Sequence, residues 1–594
     1  MPLRISLNAL KVLERRYLLK DDARNVIETP LELFKRVAKH VALAEGNFKD
    51  RNITQDWVRD TFFEMMRSLE FIPNSPTLMN AGTKMGQLSA CFVLPVRDSI
   101  ESIFKALSAM AVIHQTGGGT GFDFSRLRPK GDLVYSTKGE ASGPVSFMSI
   151  YDTATGVIVQ GGRRRGANMG ILRVDHPDIK EFIEAKQTEG RFSNFNLSVA
   201  ITDEFMDAFY KNKTYCLINP RTKKQAKRVN ARKIFGLIVN CAWKTGDPGL
   251  IFIDEINKHN PTPLVGKIEA TNPCGELPLL LYESCNLASI NLSKFVTEDR
   301  KFDWLKLAQR IKWGIRFLDN VIEVNKFPLP EIKEITFKNR KVGLGVMGFA
   351  DMLVLLGIPY NSKAAAAFAA KLMRFIRKES LKASVELAKT RGVFPNFKKS
   401  IYARDNLRVR NATVNTIAPT GTISIISGCS SGIEPLFAIS FTRNVLAGTK
   451  LFEVNPLFEK LAKEKKFYSD GLMLEIAKRG SIRNIRGIPP DLKKIFITAF
   501  DVSPLEHLYI QAAFQKYTDN SVSKTVNLPS GAKPDDVKKI YLLAHKLKCK
   551  GITIYRYGTK KEQVLSFSGQ IGGQGKFVDA ASEYSGGCAS AICG

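Results

Sequence analysis

No apolar run in this chain reaches the roughly 18 residues that a membrane-crossing helix needs. The opening "MPLRISLNALKVLERRYLLK" also has no apolar core of the kind that marks a signal peptide. A soluble, cytoplasmic protein with no membrane partner is expected. Histidine is scarce, six at isolated positions in 594 residues, and neither HExxH nor paired CxxC occurs, so no protein-ligated metal is expected. GxxxxGK[ST] is missing too, which sets aside a P-loop. The nine cysteines are an odd count in a long chain without an export signal. Catalytic or reduced structural thiols fit that usage better than a disulfide scaffold. Acidic residues are few, 57 against 88 Lys and Arg, for a net charge of +31. That charge is spread along the chain, with "GGRRRGAN" at 161–168 the tightest run. It reads as a solvated, Lys-rich surface. Attraction of phosphorylated ligands or nucleic acid is the competing reading of the charge, with nucleic acid not favoured as a partner.

A chain of this length that is 44% apolar can fill a large core. "NALKVLERRYLL" and "PLELFKRVAKHVALAEG" carry apolar residues three and four apart and predict helices. From about 70 to 300, Gly and Pro punctuate short apolar runs such as "LSACFVLPV", "CLINP" and "LIFIDEI", which predicts strands and loops. "FDWLKLAQRIKWGIRFLDNVIEV" and "SKAAAAFAAKLMRFIRKESLKASVELAK" are long helical stretches. Strands separated by helices imply an α/β architecture with a largely parallel sheet. The Gly- and Ser-rich end is expected to be a mobile tail with two thiols, Cys588 and Cys593, able to attack a disulfide elsewhere. "KVGLGVMGFADML" has GxGxxG spacing at Gly343, Gly345 and Gly348, but no buried strand before it and no acidic residue some twenty positions on. A dinucleotide site is therefore not expected there.

The chemistry concentrates in "TNPCGELPLLLYESCNLASINL" at 271–292. In an extended segment alternate side chains share a face, so Asn272, Cys274 and Glu276 are expected to project together, with Pro273 and Gly275 pointing away. A thiol between an amide and a carboxylate is poorly placed to be a thiolate, because nearby negative charge raises its pKa. One-electron chemistry at the sulfur, with the acid as general base toward substrate, suits the set better.

"NPCGE" with Cys285 eleven positions after its Cys resembles the large catalytic chain of ribonucleotide reductases. So, in order, do "PNSPTLMNAGT" at 73–83, "LSACFVLPVRDSI" at 88–100, "QGGRRRGANMG" at 160–170, "APTGTISIISGCSSGIEPLF" at 418–437, "HLYIQAAFQKYTDNSVSKTVNLP" at 507–529 and "CKGITIYRYG" at 549–558. The resemblance implies a ten-stranded α/β barrel of two half-barrels over 71–560, a helical N-terminal region over 1–70, and a redox tail over 561–594. It implies that Cys274 carries a thiyl radical that takes the ribose 3′ hydrogen, that Glu276 takes the 3′ hydroxyl proton, and that Asn272 supports both. Cys91 and Cys285 would be the reducing dithiol, and Cys588 and Cys593 would reduce their disulfide and be recharged by a thioredoxin-like partner. Substrate, a ribonucleoside di- or triphosphate, would meet Ser75, Ala90 and the loop Pro419, Thr420, Gly421 and Thr422. Deoxynucleoside triphosphate effectors would bind at a homodimer interface near Asp98, Arg128 and Gln160, with Arg163 and Arg164 bridging to the substrate. The product would serve DNA synthesis and repair.

Within the family, Glu276 and the terminal dithiol argue against the glycyl-radical branch. Tyr555 and Tyr557 are separated by Arg556, so the adjacent tyrosine pair that imports a radical from a second subunit is broken. "ISLNALKVLERRYLL", "GANMGILRVDHPDI" and "YRYG" look like the adenosylcobalamin-dependent branch. The alternative is a class I catalytic subunit that needs a separate radical-generating partner. The chain starts close to its core helices, and no N-terminal ATP-sensing domain is expected. Cys216, Cys241, Cys429 and Cys549 are expected to be buried structural thiols.

Overall fold

The computed structural model describes all residues except 1–2, 4, 49–52, 161–163, 446–448, 560–564, 572–573 and 582–594; within strands it leaves the side chains of 159–160, 164–165, 442–445, 449–453, 565–571 and 574–581 undescribed. Three helices open the chain, Leu7–Arg16, Pro30–Ala42 and Gln55–Arg67. Each starts at a Ser or Thr whose side chain accepts a hydrogen bond from the first turn, and Thr29 with Glu32 forms a full capping box. Their apolar faces supply Leu13, Phe34, Val37, Phe62 and Met65 to a core shared with Phe71 and Phe317 of the body. The N-terminal helices are thus packed onto the rest of the protein by hydrophobic burial.

Ten strands form the main sheet: β1 (Phe71–Pro73), β2 (Cys91–Val93), β3 (Gly119–Asp123), β4 (Asn168–Arg173), β5 (Phe195–Ile201), β6 (Gly249–Phe252), β7 (Ser284–Asn291), β8 (Val342–Met347), β9 (Thr525–Leu528) and β10 (Gly551–Arg556). β2 to β6 pair in parallel, in chain order. β7 and β8 pair in parallel, as do β9 and β10. The extended segment 413–417 fills the gap between those two pairs: Leu344 bridges Asn415 and Ile417 bridges Val522, both in parallel. With that segment counted, two five-stranded parallel halves result, β2 to β6 and β7, β8, 413–417, β9 and β10; they meet antiparallel at β2/β7 and at β6/β10, and β1 pairs antiparallel with β7 outside them. The expected barrel of two half-barrels is what the pairing shows. Closure leaves no open edge between the halves.

The GxGxxG glycines lie in and just after a strand. Gly343 and Gly345 are inside β8, and a Cβ on Gly345 would sit 2.5 Å from the Thr416 carbonyl oxygen. They permit close strand approach within the barrel. Near the C-terminus, the backbone at Leu565–Ile571 and Gln574–Ala581 forms a hairpin that adds to the strands Ser440–Val445 and Thr449–Val454, where composition predicts a mobile tail. Cys588 and Cys593 lie outside the described residues.

Candidate active site

Inside the barrel the chain from 270 to 279 folds back as a finger. Ala270–Thr271 pairs antiparallel with Pro278–Leu279, and the tip turns at Gly275, whose φ is +78°. β3 must be bare of side chains where the finger passes: a Cβ on Gly121 would lie 1.8 Å from the Thr271 carbonyl oxygen. The tip is a turn, closed by Gly275 N–H donating to Asn272 O at 3.0 Å. The extended conformation expected from alternation is therefore corrected. The outcome for the side chains survives, because the turn still brings Asn272, Cys274 and Glu276 to one cavity. Pro273 also borders that cavity and does not simply point away.

Main-chain contacts hold the tip. Asn196 Nδ2 donates to Pro273 O at 2.8 Å, and Thr416 Oγ1 and Ser521 N–H each donate to Glu276 O at 2.8 Å. The Asn272 side chain accepts from Leu277 N–H at 3.0 Å and donates to Cys91 Sγ at 3.1 Å. Asn196, Thr416 and Ser521 are positioning residues that no local pattern in the sequence marks.

Cys91 on β2 and Cys285 on β7 are directly opposite each other across the antiparallel seam between the half-barrels. Opposed residues in such a ladder have Cα atoms about 4.5–5.5 Å apart, within the span a disulfide bridges. Both are free thiols here. Burial pushes the Cys285 thiol far up, against the opposing pull of nearby Lys341, so it keeps its proton at neutral pH.

The cavity wall opposite the finger is made by Pro419, Thr420, Gly421 and Thr422 together with Ser75 and Ala90. Thr420 takes a left-handed conformation, φ +52°, immediately before the short helix Gly421–Ser427. Its hydroxyl oxygen accepts from Gly432 N–H at 2.7 Å. The Tyr17 hydroxyl, from the N-terminal region, lies 2.8 Å from Ser75 Oγ and 2.6 Å from Thr422 Oγ1. The sequence reading missed Tyr17; it follows the first helix among apolar residues and carries no local signal. It also missed Asn74, which borders the cavity and whose side chain caps the helix Ser75–Asn80 while its buried Nδ2 has no partner. An unspent amide donor in that place suits a substrate oxygen.

A second cavity lies on the other side of the finger tip and shares Pro273 and Cys274 with the first. Asn196, Ser198, Gln511, Thr553 and Tyr555 border it. Gln511 Nε2 donates to Gly551 O at 2.9 Å, whereas its buried Oε1 has no partner. Lys524, also in the lining, is buried and ion-paired with Glu434, and donates to His507 Nδ1 at 2.8 Å. Burial, with help from Lys524, drives His507 well below its ordinary pKa and keeps it neutral. The Tyr555 and Tyr557 rings meet edge to face at 5.8 Å. Arg556 interrupts them in sequence but turns away to stack on Trp243, because alternate residues of a strand share a face.

Of the expected effector residues, Asp98 and Arg128 are joined: Arg128 Nε lies 2.9 Å from Asp98 Oδ2, and Arg128 N–H donates to Asp98 Oδ1 at 3.1 Å. Gln160 pairs with Arg164 through the backbone. Arg163 lies outside the described residues. Among the remaining thiols, Cys241 and Cys549 are buried as expected; Cys429, only partly buried after the helix Gly421–Ser427, and Cys216 are corrections. Cys216 sits half-exposed on a hairpin, with Sγ donating to Gln225 Oε1 at 3.1 Å.

At the base of the finger, Arg126 clamps Glu269, and Asp123 at the end of β3 is buried. Burial pushes the Asp123 carboxyl up to about 7, with hydrogen bonds from Ser125 working against it. A carboxyl whose folded pKa exceeds its unfolded value contributes stability that is full below the unfolded pKa, about 4. That contribution is lost as pH rises through 7. Asp123→Asn is expected to remove this slope, which is of the order of a few kcal/mol between pH 4 and 8. Urea unfolding at several pH values reads it, and an unchanged slope would show that Asp123 is ionised throughout.

Comparison with known proteins meets this geometry. Residues 89–409 and 408–555 match the family model described as ribonucleotide reductase, barrel domain, and 3–86 match ribonucleotide reductase, all-alpha domain. A vitamin B12-dependent ribonucleoside-diphosphate reductase of Thermoplasma acidophilum is 52% identical over 95% of this chain and 80% of its own length. A protein of the same description from Mycobacterium tuberculosis is 49% identical over 100% of this chain and 83% of its own. The solved class Id ribonucleotide reductase alpha subunit of Actinobacillus ureae superimposes with a TM-score of 0.77 at 26% identity, covering 93% of this chain and 97% of that one. With a finger thiol between two cavities, a facing dithiol and matches along nearly its whole length, the chain belongs to the ribonucleotide reductase large-chain family.

Proposed function

We propose that this protein reduces ribonucleotides to 2′-deoxyribonucleotides with adenosylcobalamin as radical source. The observation that carries the reading is Cys274 at a finger tip between two cavities, one of them shared with Glu276 and Cys91. The other, with the open Gln511 acceptor, hydroxyls and the Tyr555 ring, fits the sugar and base of an adenosyl group. Asn196, Ser198, Gln511 and Tyr555 would hold that group. When bound, adenosylcobalamin supplies a carbon-centred radical by homolysis of its cobalt–carbon bond.

The chain's own residues do the rest. Cys274 Sγ, as a thiyl, takes the 3′ hydrogen, and Glu276 accepts the 3′ hydroxyl proton, which weakens the neighbouring C2′–O bond. The Cys91–Cys285 pair gives a proton to the departing 2′ hydroxyl, which leaves as water. The pair's second hydrogen goes to C2′, with two electrons passing to the substrate as the pair closes to a disulfide; Glu276 returns the proton to the 3′ oxygen and Cys274 returns its hydrogen to C3′. Asn272 holds Cys91 in register with the finger. Cys588 and Cys593 reopen the disulfide by exchange and are recharged by a thioredoxin-like protein.

Ser75, Thr420 and Thr422 bind substrate with Tyr17 behind them, and the substrate is a ribonucleoside diphosphate, the one named for the two relatives described above. Deoxynucleotide effectors bind at Asp98 and Arg128. The loop from Gln160 to Ala167 ends at a residue that borders the substrate cavity, and so can relay effector identity. The protein acts as a homodimer through the helices Ile100–Gln115 and Pro144–Val157, which leave Ile100, Phe104, Val112, Ile150 and Val157 exposed. Sedimentation should give a dimer that Phe104→Glu converts to monomer.

The test is anaerobic conversion of CDP and CTP by the chain alone with a dithiol reductant, with and without adenosylcobalamin. Deoxycytidine nucleotide is expected only with the cofactor, and from CDP in preference to CTP. Product that appears only on adding a metal-bearing radical subunit would overturn the cobalamin reading.

A further inference from the structure

A large recess bordered by the described residues takes no part in the chemistry above. It has a volume of about 1230 Å³ and shares no lining residue with either cavity at Cys274. It lies between the start of β10, the helix Pro504–Gln515 and the start of the long helix Lys363–Arg391. Its wall is strongly basic. The three carboxylates in the lining are already engaged: Glu255 with His259 at 3.0 Å, Asp519 with Arg377 at 3.2 Å, and Glu506 with the backbone of Ser503 at 2.7 Å. Lys363, Arg404, Lys516, Lys546 and Lys548 are exposed and have no carboxylate partner among the described residues. Five cations without a carboxylate partner around one concavity, against the single charge of Glu506, raise the local concentration of anions. Tyr509 lines the same recess, is 47% exposed, and meets no other ring among the described residues.

The floor of the recess leads to the finger. Lys550, buried in the lining, donates to the carbonyls of Asp519 and Asn520, each at 2.6 Å. Asp519 N–H and Asn520 N–H in turn donate to Asn415, at 2.7 and 3.3 Å. The next residue, Ser521, donates to Glu276 O. A ligand that bears on 516–520 therefore bears, one residue on, on the support of the Glu276 backbone.

We propose that this recess binds a nucleoside triphosphate, its phosphates on Lys516, Lys548 and Arg404 and its base on Tyr509, and that binding stiffens the 518–521 support of the finger. The unpaired cations call for several negative charges in one place, and the exposed ring calls for a flat partner. A concave recess of this size suits a small molecule; a nucleic acid strand would need stacking rings and cations continued along the surface.

Hydrogen exchange of the full chain, read peptide by peptide, tests this without turnover, so its failure is separate from any failure of the reductase reading. The probes are ATP, inorganic tripolyphosphate and an oligodeoxythymidylate. ATP is expected to slow exchange at 516–521 and 546–550. Lys516→Glu with Lys548→Glu should raise the ATP concentration needed roughly tenfold or more, with protection around Asp98–Leu133 unchanged. Tyr509→Ala should bring ATP down to the level of tripolyphosphate. Protection confined to 98–133, indifference to the charge reversals, equal protection of the wild type by tripolyphosphate, or displacement of ATP by the oligonucleotide at lower concentration would each overturn the proposal.

Discussion

Cys274→Ala is expected to lower deoxynucleotide formation roughly 10⁴-fold or more, to the background without enzyme, while the protein stays folded. The loss is large because no other described thiol is placed like this one. Cys274 alone among the described cysteines borders both cavities, whereas Cys91 borders only the first and Cys285 is buried in the seam behind it. The fold should persist because the contacts that fix the tip run through other atoms: the Pro273 and Glu276 carbonyls, the Asn272 side chain and the Gly275 turn. Two measurements are needed on the same sample. Chromatographic assay of deoxycytidine nucleotide should show no product, and thermal unfolding should show a midpoint unchanged within about a degree. Product above about one hundredth of the wild-type rate would mean that another group starts the reaction.

Asp319→Ala should cost stability on the scale of a broken buried ion pair, about 3–5 kcal/mol. Asp319 is fully buried and accepts from Arg340 at 2.7 Å, Arg391 at 2.8 Å, Arg410 at 3.4 Å and Asn411 at 3.0 Å. Around it Glu45 holds Arg316 and Arg391, Glu323 holds Arg340 and Arg410, and the guanidiniums of Arg391 and Arg410 lie over the Phe48 ring. Four guanidiniums face three carboxylates, so removing the central one leaves buried positive charge unpaired. The network joins the end of the N-terminal helices, through Glu45, to Asn411 just before the segment 413–417 that supports Glu276. The loss should therefore appear in urea unfolding and also in weaker protection of that segment from exchange.

The sign of its pH dependence follows from the same charges. Burial alone would raise the Asp319 carboxyl, but Arg340, Arg410 and Arg391 outweigh it and hold the pKa well below the usual carboxylate range. A depressed carboxylate stabilises above its unfolded pKa, near 4. That stability is lost as pH falls through the folded value. Wild type should lose stability in acid more steeply than Asp319→Ala, and parallel curves would show that the network is not what acid attacks.

How much could be read from the chain alone follows from how far apart the partners lie. Asn272, Cys274 and Glu276 were legible because they are adjacent, and adjacency is enough for a turn or a strand to bring them together. Even there the local conformation was misjudged: alternation suggested an extended segment, and Gly275 makes a turn. The Cys91–Cys285 pair was legible only through family resemblance, since nothing near either cysteine names its partner. Tyr17 was missed although its hydroxyl is 2.6 Å from Thr422 Oγ1 across 405 residues of chain. The ion network around Asp319 was equally silent, because its Arg and Glu residues read one by one as ordinary surface charge.

The sequence by itself determined the local chemistry: a thiol, an amide and a carboxylate within five residues, and a helix–strand alternation that forces an α/β body. Those properties belong to side chains and to short-range periodicity, which need no distant partner. The tertiary structure decided which groups work together. Closing the two half-barrels through segment 413–417 sets Cys285 against Cys91, seats Glu276 on Thr416 and Ser521, and leaves one cavity on each side of Cys274. Strand register and barrel closure are set by contacts summed over the whole core, and no stretch of sequence contains that sum.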